Sequence, residues 1–167
     1  MSFEDRFRVQ KCLMLLDEDA DMGSLKKRIK FQKTIYLLEA FGANLNYHFS
    51  WYLRGPYSTS LADDGYALYS LEPESRLELA NDVNVDSDKV PIEKMKAFLK
   101  ELRLVLDAKS ESSRLELAAS LHFLSNYTLN RQGGFEKAYL QLSYHKPRFR
   151  KQEAFRMWKL MEKYNLV

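Results

Sequence analysis

The clearest periodicity in the chain predicts a helix from Leu25 to about Phe41. Its apolar face repeats at about 100° per residue and comprises Phe31, Ile35 and Leu38. A separate stripe at the spacing i, i+4, i+7 comprises Lys26, Lys30 and Lys33. Ser24 is a suitable N-terminal cap, and Gly42 is suited to end the helix.

A run of aromatic residues with partial alternation then predicts a half-buried strand over Tyr47–Leu53. The Gly55-Pro56 pair breaks this strand, because proline fixes its own φ and disfavours the helical region for the residue before it. A tight turn is therefore predicted over Arg54–Ser58, followed by a helix from Leu61 to about Leu71.

Apolar periodicity predicts further helices at about 3–17, 75–81, 91–107, 115–124, 135–144 and 151–164. The helix at 115–124 is apolar nearly all round, which is typical of the buried centre of a bundle, and Ser113 with Glu116 fits a capping box at its start. Acidic residues 17–21 are predicted to form a solvated loop, and residues 81–88 a mobile loop or a short edge strand. The predicted fold is mainly α, a single helical domain over residues 1–167 with a small winged-helix-like β element around 47–57.

Composition supports a packed globule rather than a disordered chain, since 46% of the residues are hydrophobic. The single cysteine, Cys12, excludes an internal disulfide and a cysteine-built zinc site, and its helical surroundings indicate a buried residue rather than a nucleophile. No apolar run approaches the roughly 18 residues that span a bilayer, and the first residues lack the pattern of a signal peptide. We therefore expect a cytoplasmic protein.

Several stretches resemble a known group of prokaryotic proteins. FQKTIYLLEAFG, residues 31–42, and FSWYLRGPYSTSLADDGYAL, residues 49–68, resemble small uncharacterised YwgA-like proteins. LELAASLHFLSNY, residues 115–127, resembles the central helix of that group, and HKPRF, residues 145–149, resembles its C-terminal end. The chain is also distantly similar to the Panacea-type, SocA-like antitoxin domain, in which a helix with a KxxYL-like core precedes a strand and a Gly-Pro turn. The resemblance implies a role in toxin–antitoxin or phage-defence systems through a protein partner.

Basic residues suggest a nucleic-acid surface in two places. The candidates are Lys26, Lys30 and Lys33 on the first stripe, and Lys146, Arg148, Arg150, Lys151, Arg156 and Lys159 around the last helix. Cations beside helix starts are suited to phosphate contacts, but a solvated helix face has the same pattern. The net charge of +3 permits nucleic-acid binding without arguing for it.

Aromatic residues around the Gly-Pro turn suggest a second kind of surface. The partner-binding candidates are Trp51, Tyr52, Arg54 and Tyr57, with Tyr66 and Tyr69 following on the next helix. Tyrosine, tryptophan and arginine are enriched at the energetic centres of protein interfaces. The alternative is that these side chains only pack the core and the turn.

Catalysis has the weakest support in the sequence. The three histidines, His48, His122 and His145, are far apart and match no metal or hydrolase motif, so no catalytic residue, metal or cofactor is predicted. His122 is expected to be a hydrogen-bonded core histidine.

The sequence therefore favours a non-enzymatic interaction module that binds a protein partner, antitoxin-like or associated with phage defence. The alternative is a nucleic-acid-binding regulator that uses the two basic faces. The alternative gains support if the two basic faces form one surface, and it loses support if acidic residues separate them.

Overall fold

A computed structural model describes residues 3–106 and 108–167 and has a mainly α fold with one small β element, as predicted. The helices are α1 Phe3–Leu15, α2 Leu25–Ala40, α3 Thr59–Tyr69, α4 Pro73–Asn81, α5 Lys89–Leu102, α6 Glu111–Phe123, α7 Gly134–His145 and α8 Lys151–Lys163. A short 3₁₀ turn at Asp86–Asp88 precedes α5, and a π-helical turn at Leu124–Thr128 follows α6. None of the described helices is long and apolar enough to cross a lipid bilayer.

Helices α2 and α6 form the centre of the fold and pack against each other. Every residue of α2 from 31 to 38 is buried, as is every residue of α6 from 115 to 122. The prediction of a buried central helix at 115–124 is thus confirmed. Helix α8 packs on α6, α5 packs on α2, and α1 packs on α4. The side chains on these two stretches, including the charged ones, are therefore largely removed from water.

The β element is a hairpin of β1, Ser50–Tyr52, and β2, Gly55–Tyr57, in antiparallel register. Only two residues connect the strands, and Gly55 adopts a φ of 88°, a left-handed conformation that favours glycine. The predicted strand over 47–53 is therefore too long. Its first part has no ladder, and the Tyr47 N–H instead donates to Oε1 of Glu39 at 3.0 Å. The predicted turn over Arg54–Ser58 is misplaced, because Leu53 and Arg54 form the turn and Gly55–Tyr57 forms the second strand.

Helix α6 begins earlier than predicted. Ser110 caps it, because the Ser110 side chain accepts from the Ser113 N–H at 3.3 Å. The capping box of Ser113 and Glu116 is therefore wrong, and Glu116 lies one turn further along the helix in a buried position. Helix α5 ends at Leu102, earlier than predicted, and the predicted end at Asp107 lies outside the described residues.

The acidic segments are less solvated than predicted, because long-range ion pairs hold them. Glu18 pairs with Lys30 at 2.6 Å, and Asp19 pairs with the buried Arg76 at 3.1 Å. In the second segment, Arg8 contacts Asp88 at 2.6 Å, and Asp88 is buried at the start of α5. The local composition shows that such segments are polar. It does not show that a basic side chain from a distant helix will pair with them.

Candidate partner-binding groove

The hairpin register divides the predicted partner-binding aromatics between two faces. Ser50 lies opposite Tyr57, and Trp51 lies opposite Pro56. Because side chains alternate along a strand, Tyr52 and Tyr57 share one face, with ring centroids 5.6 Å apart, while Trp51 lies on the other.

Trp51 belongs to the packed side of the hairpin. Its ring lies 5.7 Å from the ring of Phe123 and 5.3 Å from that of His145. The Nζ of Lys146 lies 5.6 Å from the Trp51 ring centroid. Trp51 therefore attaches the hairpin to α6 and α7, and the core alternative fits this residue.

Tyr52 and Tyr57 face a groove of about 340 Å³ between the hairpin, α2 and α3. Its lining comprises Met22, Leu25, Arg28, Ile29, Gln32, Lys33, Tyr52, Leu53, Arg54, Tyr57, Ala62 and Tyr66. Four apolar or aromatic members are well exposed, with exposed fractions of 51% for Leu25, 59% for Tyr52, 79% for Leu53 and 49% for Tyr66. The groove is thus an open, largely apolar surface.

The polar part of the groove is cationic. Arg28, Lys33 and Arg54 belong to the lining, and no carboxylate does among the described residues. Arg28 Nη1 donates to the carbonyl of Met22 at 3.1 Å, which orients its guanidinium along α2. Arg54 is half-exposed, and its nearest carboxylate oxygen belongs to Glu116, 4.0 Å away.

Two buried lysines hold the hairpin from beneath. Lys33 Nζ donates to the carbonyl of Pro56 at 2.5 Å, and Lys146 Nζ donates to the carbonyl of Leu53 at 3.1 Å. Lys146 also contacts Oε1 of the buried Glu116 at 2.7 Å, while Arg148 contacts Oε2 of the same carboxylate at 2.6 Å. The two ends of the hairpin turn are thus fixed by donors from α2 and from the segment before α8.

Burial lowers the pKa of both lysines. Desolvation brings the pKa of Lys33 down to about 7, against an opposing effect of Glu116. The pKa of Lys146 is also lowered by burial, although its hydrogen bond to Glu116 favours the charged form. Both lysines are buried and donate hydrogen bonds to backbone carbonyls of the hairpin.

The start of α3 is fixed to α2 by an amide pair. Gln32 Nε2 donates to the carbonyl of Ser58 at 2.8 Å, and the Ser58 N–H donates to Gln32 Oε1 at 3.0 Å. The Ser58 hydroxyl accepts from the Leu61 N–H and caps α3. One residue of α2 therefore fixes the second wall of the groove.

The basic stripe on α2 does not form one surface. Lys26 is exposed, and Lys30 lies between the carboxylates of Glu18 and Glu111, at 2.6 Å and 3.0 Å. Lys33 is only 1% exposed, so its assignment to a nucleic-acid surface is wrong. The physical reason is that α2 passes from solvent at its first turn into full burial by residue 31.

The second basic group is divided in the same way. Lys146 is 4% exposed, so its assignment to a nucleic-acid surface is also wrong. Lys151 pairs with Glu136 and Lys159 with Glu162, each at 2.7 Å. Arg150 and Arg156 are exposed. Acidic residues therefore separate the cations of both predicted basic faces.

His122 and the single cysteine, Cys12, are buried residues. A 2.6 Å hydrogen bond joins His122 Nδ1 to Tyr36 Oη, which confirms the predicted core histidine. Burial lowers the pKa of His122 to about 4 and raises the pKa of Cys12 to about 12. No group of three or more His, Cys, Asp or Glu side chains among the described residues is placed to hold a metal ion.

The groove contains residues that the sequence analysis did not select as candidates. Leu25, Arg28, Ile29 and Gln32 follow the spacing i, i+3, i+4, i+7 along α2. That spacing predicts that the four residues share one face of the helix. The signal is hard to recognise, because the more strongly apolar core face of α2 lies beside it. Comparison of the chain with family models, with curated proteins and with solved structures finds no match.

Proposed function

We propose that this protein is a non-enzymatic interaction module that binds a protein partner in the groove between the hairpin, α2 and α3. The observation that carries the proposal is the pairing of exposed aromatic side chains with two arginines, Arg28 and Arg54, in a lining that has no carboxylate among the described residues. The partner segment has an apolar or aromatic anchor with acidic residues beside it.

Interface physics supports this choice of partner. A contiguous apolar surface rimmed by polar groups is typical of a binding site, and tyrosine and arginine dominate the energetics of many interfaces. Arg54 and Arg28 attract acidic side chains at the rim, which favours one sign of partner. The groove walls are held by Lys33, Lys146 and Gln32, so little order is lost on binding.

The resemblance to YwgA-like proteins and to the Panacea-type antitoxin domain supports a toxin or a phage-defence component as the partner. The resemblance is carried in part by the KTIYL core of α2 and by the Gly55-Pro56 pair. Both segments line or support the groove. Lys33 is the first residue of the KTIYL segment, and its Nζ donates a hydrogen bond to the carbonyl of Pro56.

The nucleic-acid alternative has less support. Lys26, Arg150 and Arg156 are exposed, which such a regulator needs. However, Glu18 and Glu111 neutralise Lys30 between them, and Glu136 and Glu162 stand beside Lys151 and Lys159. Carboxylates among the cations weaken the attraction to a phosphate backbone.

Selection of peptides from a random library displayed on phage tests the proposal. Peptides enriched on the wild-type protein are expected to combine an aromatic or large aliphatic residue with Asp or Glu. Their affinity is expected to fall about tenfold or more in Tyr52→Ser and in Arg54→Glu, as for groups at an interface centre.

Tyr144→Ser is the matched control, because Tyr144 is 84% exposed and lies outside the groove. Circular dichroism checks that each variant is folded. Peptides without acidic residues, or peptides that bind Tyr52→Ser and Arg54→Glu as tightly as the wild type, would contradict the proposal.

A further inference from the structure

A second cavity, of about 230 Å³, opens between α2, α6 and the segment before β1. It shares no lining residue with the groove among the described residues. Its walls are mainly aromatic, and the lining comprises Tyr36, Glu39, Ala40, Tyr47, His48, Phe49, His122, Phe123 and Tyr127.

The aromatic walls form one connected cluster. The ring of Tyr36 meets Phe49 edge to face, with centroids 5.0 Å apart, and Phe123 lies 5.2 Å from Tyr127. Phe49 and Phe123 are half-buried, whereas Tyr127 is 64% exposed at the rim. An entering molecule would thus be surrounded by aromatic rings, with Tyr127 at the mouth.

The π-helical turn Leu124–Thr128 places Tyr127 at that mouth. The Leu129 N–H bonds to the Leu124 carbonyl, five residues back, so the helix is widened at this point. The widened turn brings the Tyr127 ring within 6.2 Å of His122 as well as 5.2 Å of Phe123. Such turns are rare and are found frequently at functional sites.

Glu39 is the one carboxylate of the described lining, which has no lysine or arginine and includes the exposed His48. Burial raises the pKa of Glu39, while hydrogen bonds from the Tyr47 and Leu45 N–H groups favour its charged form. The Tyr36 hydroxyl is hydrogen-bonded to His122, whose pKa burial lowers to about 4, so the imidazole is neutral at pH 7. Glu39 Oε1 accepts from the Tyr47 N–H at 3.0 Å, which holds the carboxyl group at the cavity edge.

We propose that this cavity binds a small organic cation with an alkylated ammonium group. Aromatic faces attract such a cation through their quadrupoles, and the Glu39 carboxylate adds its charge. An anion would meet Glu39 without a compensating cation, and a neutral ligand would gain only apolar contact. The proposal concerns a site separate from the groove, so it stands or falls independently of the partner.

Calorimetric titration with choline tests the proposal, with 3,3-dimethyl-1-butanol as the neutral probe, in which carbon replaces the ammonium nitrogen. We expect choline to bind with a Kd on the order of 1 mM or below, and the alcohol to bind about tenfold more weakly or not at all. Backbone amide NMR shifts are expected to change at residues around Glu39, Phe123 and Tyr127.

Glu39→Gln keeps an oxygen acceptor for the Tyr47 N–H while it removes the charge, so a folded variant is expected to bind choline about tenfold more weakly. Tyr127→Leu keeps apolar volume but removes the π face, and a loss of about fivefold is expected. Tyr144→Leu is the control outside the cavity and should bind as the wild type does. Equal affinity for choline and its neutral analogue, no binding to folded wild type at millimolar choline, or unchanged affinity in Glu39→Gln would overturn the proposal.

Discussion

At the scale of single residues, burial decides what the charged side chains do. Lys33 and Lys30 are three positions apart on α2, yet Lys30 reaches two carboxylates at the surface and Lys33 donates to one carbonyl in the interior. Removing an ammonium from water is costly unless it is well paired. The lowered pKa of Lys33 expresses that cost.

The first prediction concerns Lys33 and pH. Its folded pKa is about 7, below the usual 10.5, so the unfolded chain binds more protons between these values and stability rises with pH in that window. Between pH 7 and pH 9 this effect contributes about 2 kcal/mol to the free energy of unfolding. This pH effect is expected to be absent in Lys33→Met. The free energy of unfolding of the wild type should therefore rise by about 2 kcal/mol more than that of the variant between pH 7 and pH 9.

Urea denaturation at the two pH values measures the difference. Lys26→Met is the control, because Lys26 is exposed on the same helix and its removal should leave the pH dependence of the wild type unchanged. An identical pH dependence for the wild type and Lys33→Met would show that Lys33 titrates as it does in water.

At the scale of elements, two helices that pack closely restrict the size of the side chains between them. Gly65 lies inside α3, where propensity alone favours alanine by about 1 kcal/mol. A Cβ at this position would lie 2.6 Å from Cε1 of the buried Phe31 and 3.1 Å from Cε of Met22. Glycine is therefore required here by the distance between α3 and α2 rather than by its backbone conformation.

Gly65→Ala is accordingly expected to lower the free energy of unfolding by about 1–3 kcal/mol, because overpacking outweighs the gain in propensity. Thermal and urea denaturation measure this. Phe31→Leu makes space at the contact, so the double variant should lose less than the sum of the two single variants. A more stable Gly65→Ala would mean that propensity, and not the contact, governs this position.

At the scale of the whole molecule, the distribution of charge matters more than the net charge of +3. Most cations of the two predicted basic faces are paired with carboxylates or buried beneath the hairpin. The groove differs, because Arg28 and Arg54 lie in its lining beside apolar and aromatic residues. The described residues therefore form an aromatic groove with two arginines rather than one extended basic face.

Binding to generic duplex DNA across a salt series tests this distribution. Because carboxylates lie beside several cations of the two predicted basic faces, we expect weak binding, with a slope of log affinity against log salt shallower than about −3. A slope of about −4 or steeper that Lys26→Glu and Arg150→Glu reduce would indicate several phosphate contacts. That result would favour the nucleic-acid alternative over partner binding in the groove.

Several features were predictable because their causes are local. Ser24 caps α2, and Leu115–Phe123 forms a buried helix, each at or near the predicted place. Helix caps and helical periodicity depend on residues that are close together in the chain, so both can be predicted from the sequence. Tyr52, Arg54 and Tyr57 were also selected from the sequence and lie together in the groove.

Short-range preferences explain why most of the helices and the mainly α fold class could be predicted from the sequence. The ion pairs of Glu116 on α6 with Lys146 and Arg148 depend on the tertiary structure. So does the position of Trp51 on the face of the hairpin opposite Tyr52. Which charges are buried and which aromatics are exposed depends on contacts between residues far apart in the chain. Periodicity places a side chain on a face, but only the packing of another element decides whether that face meets water.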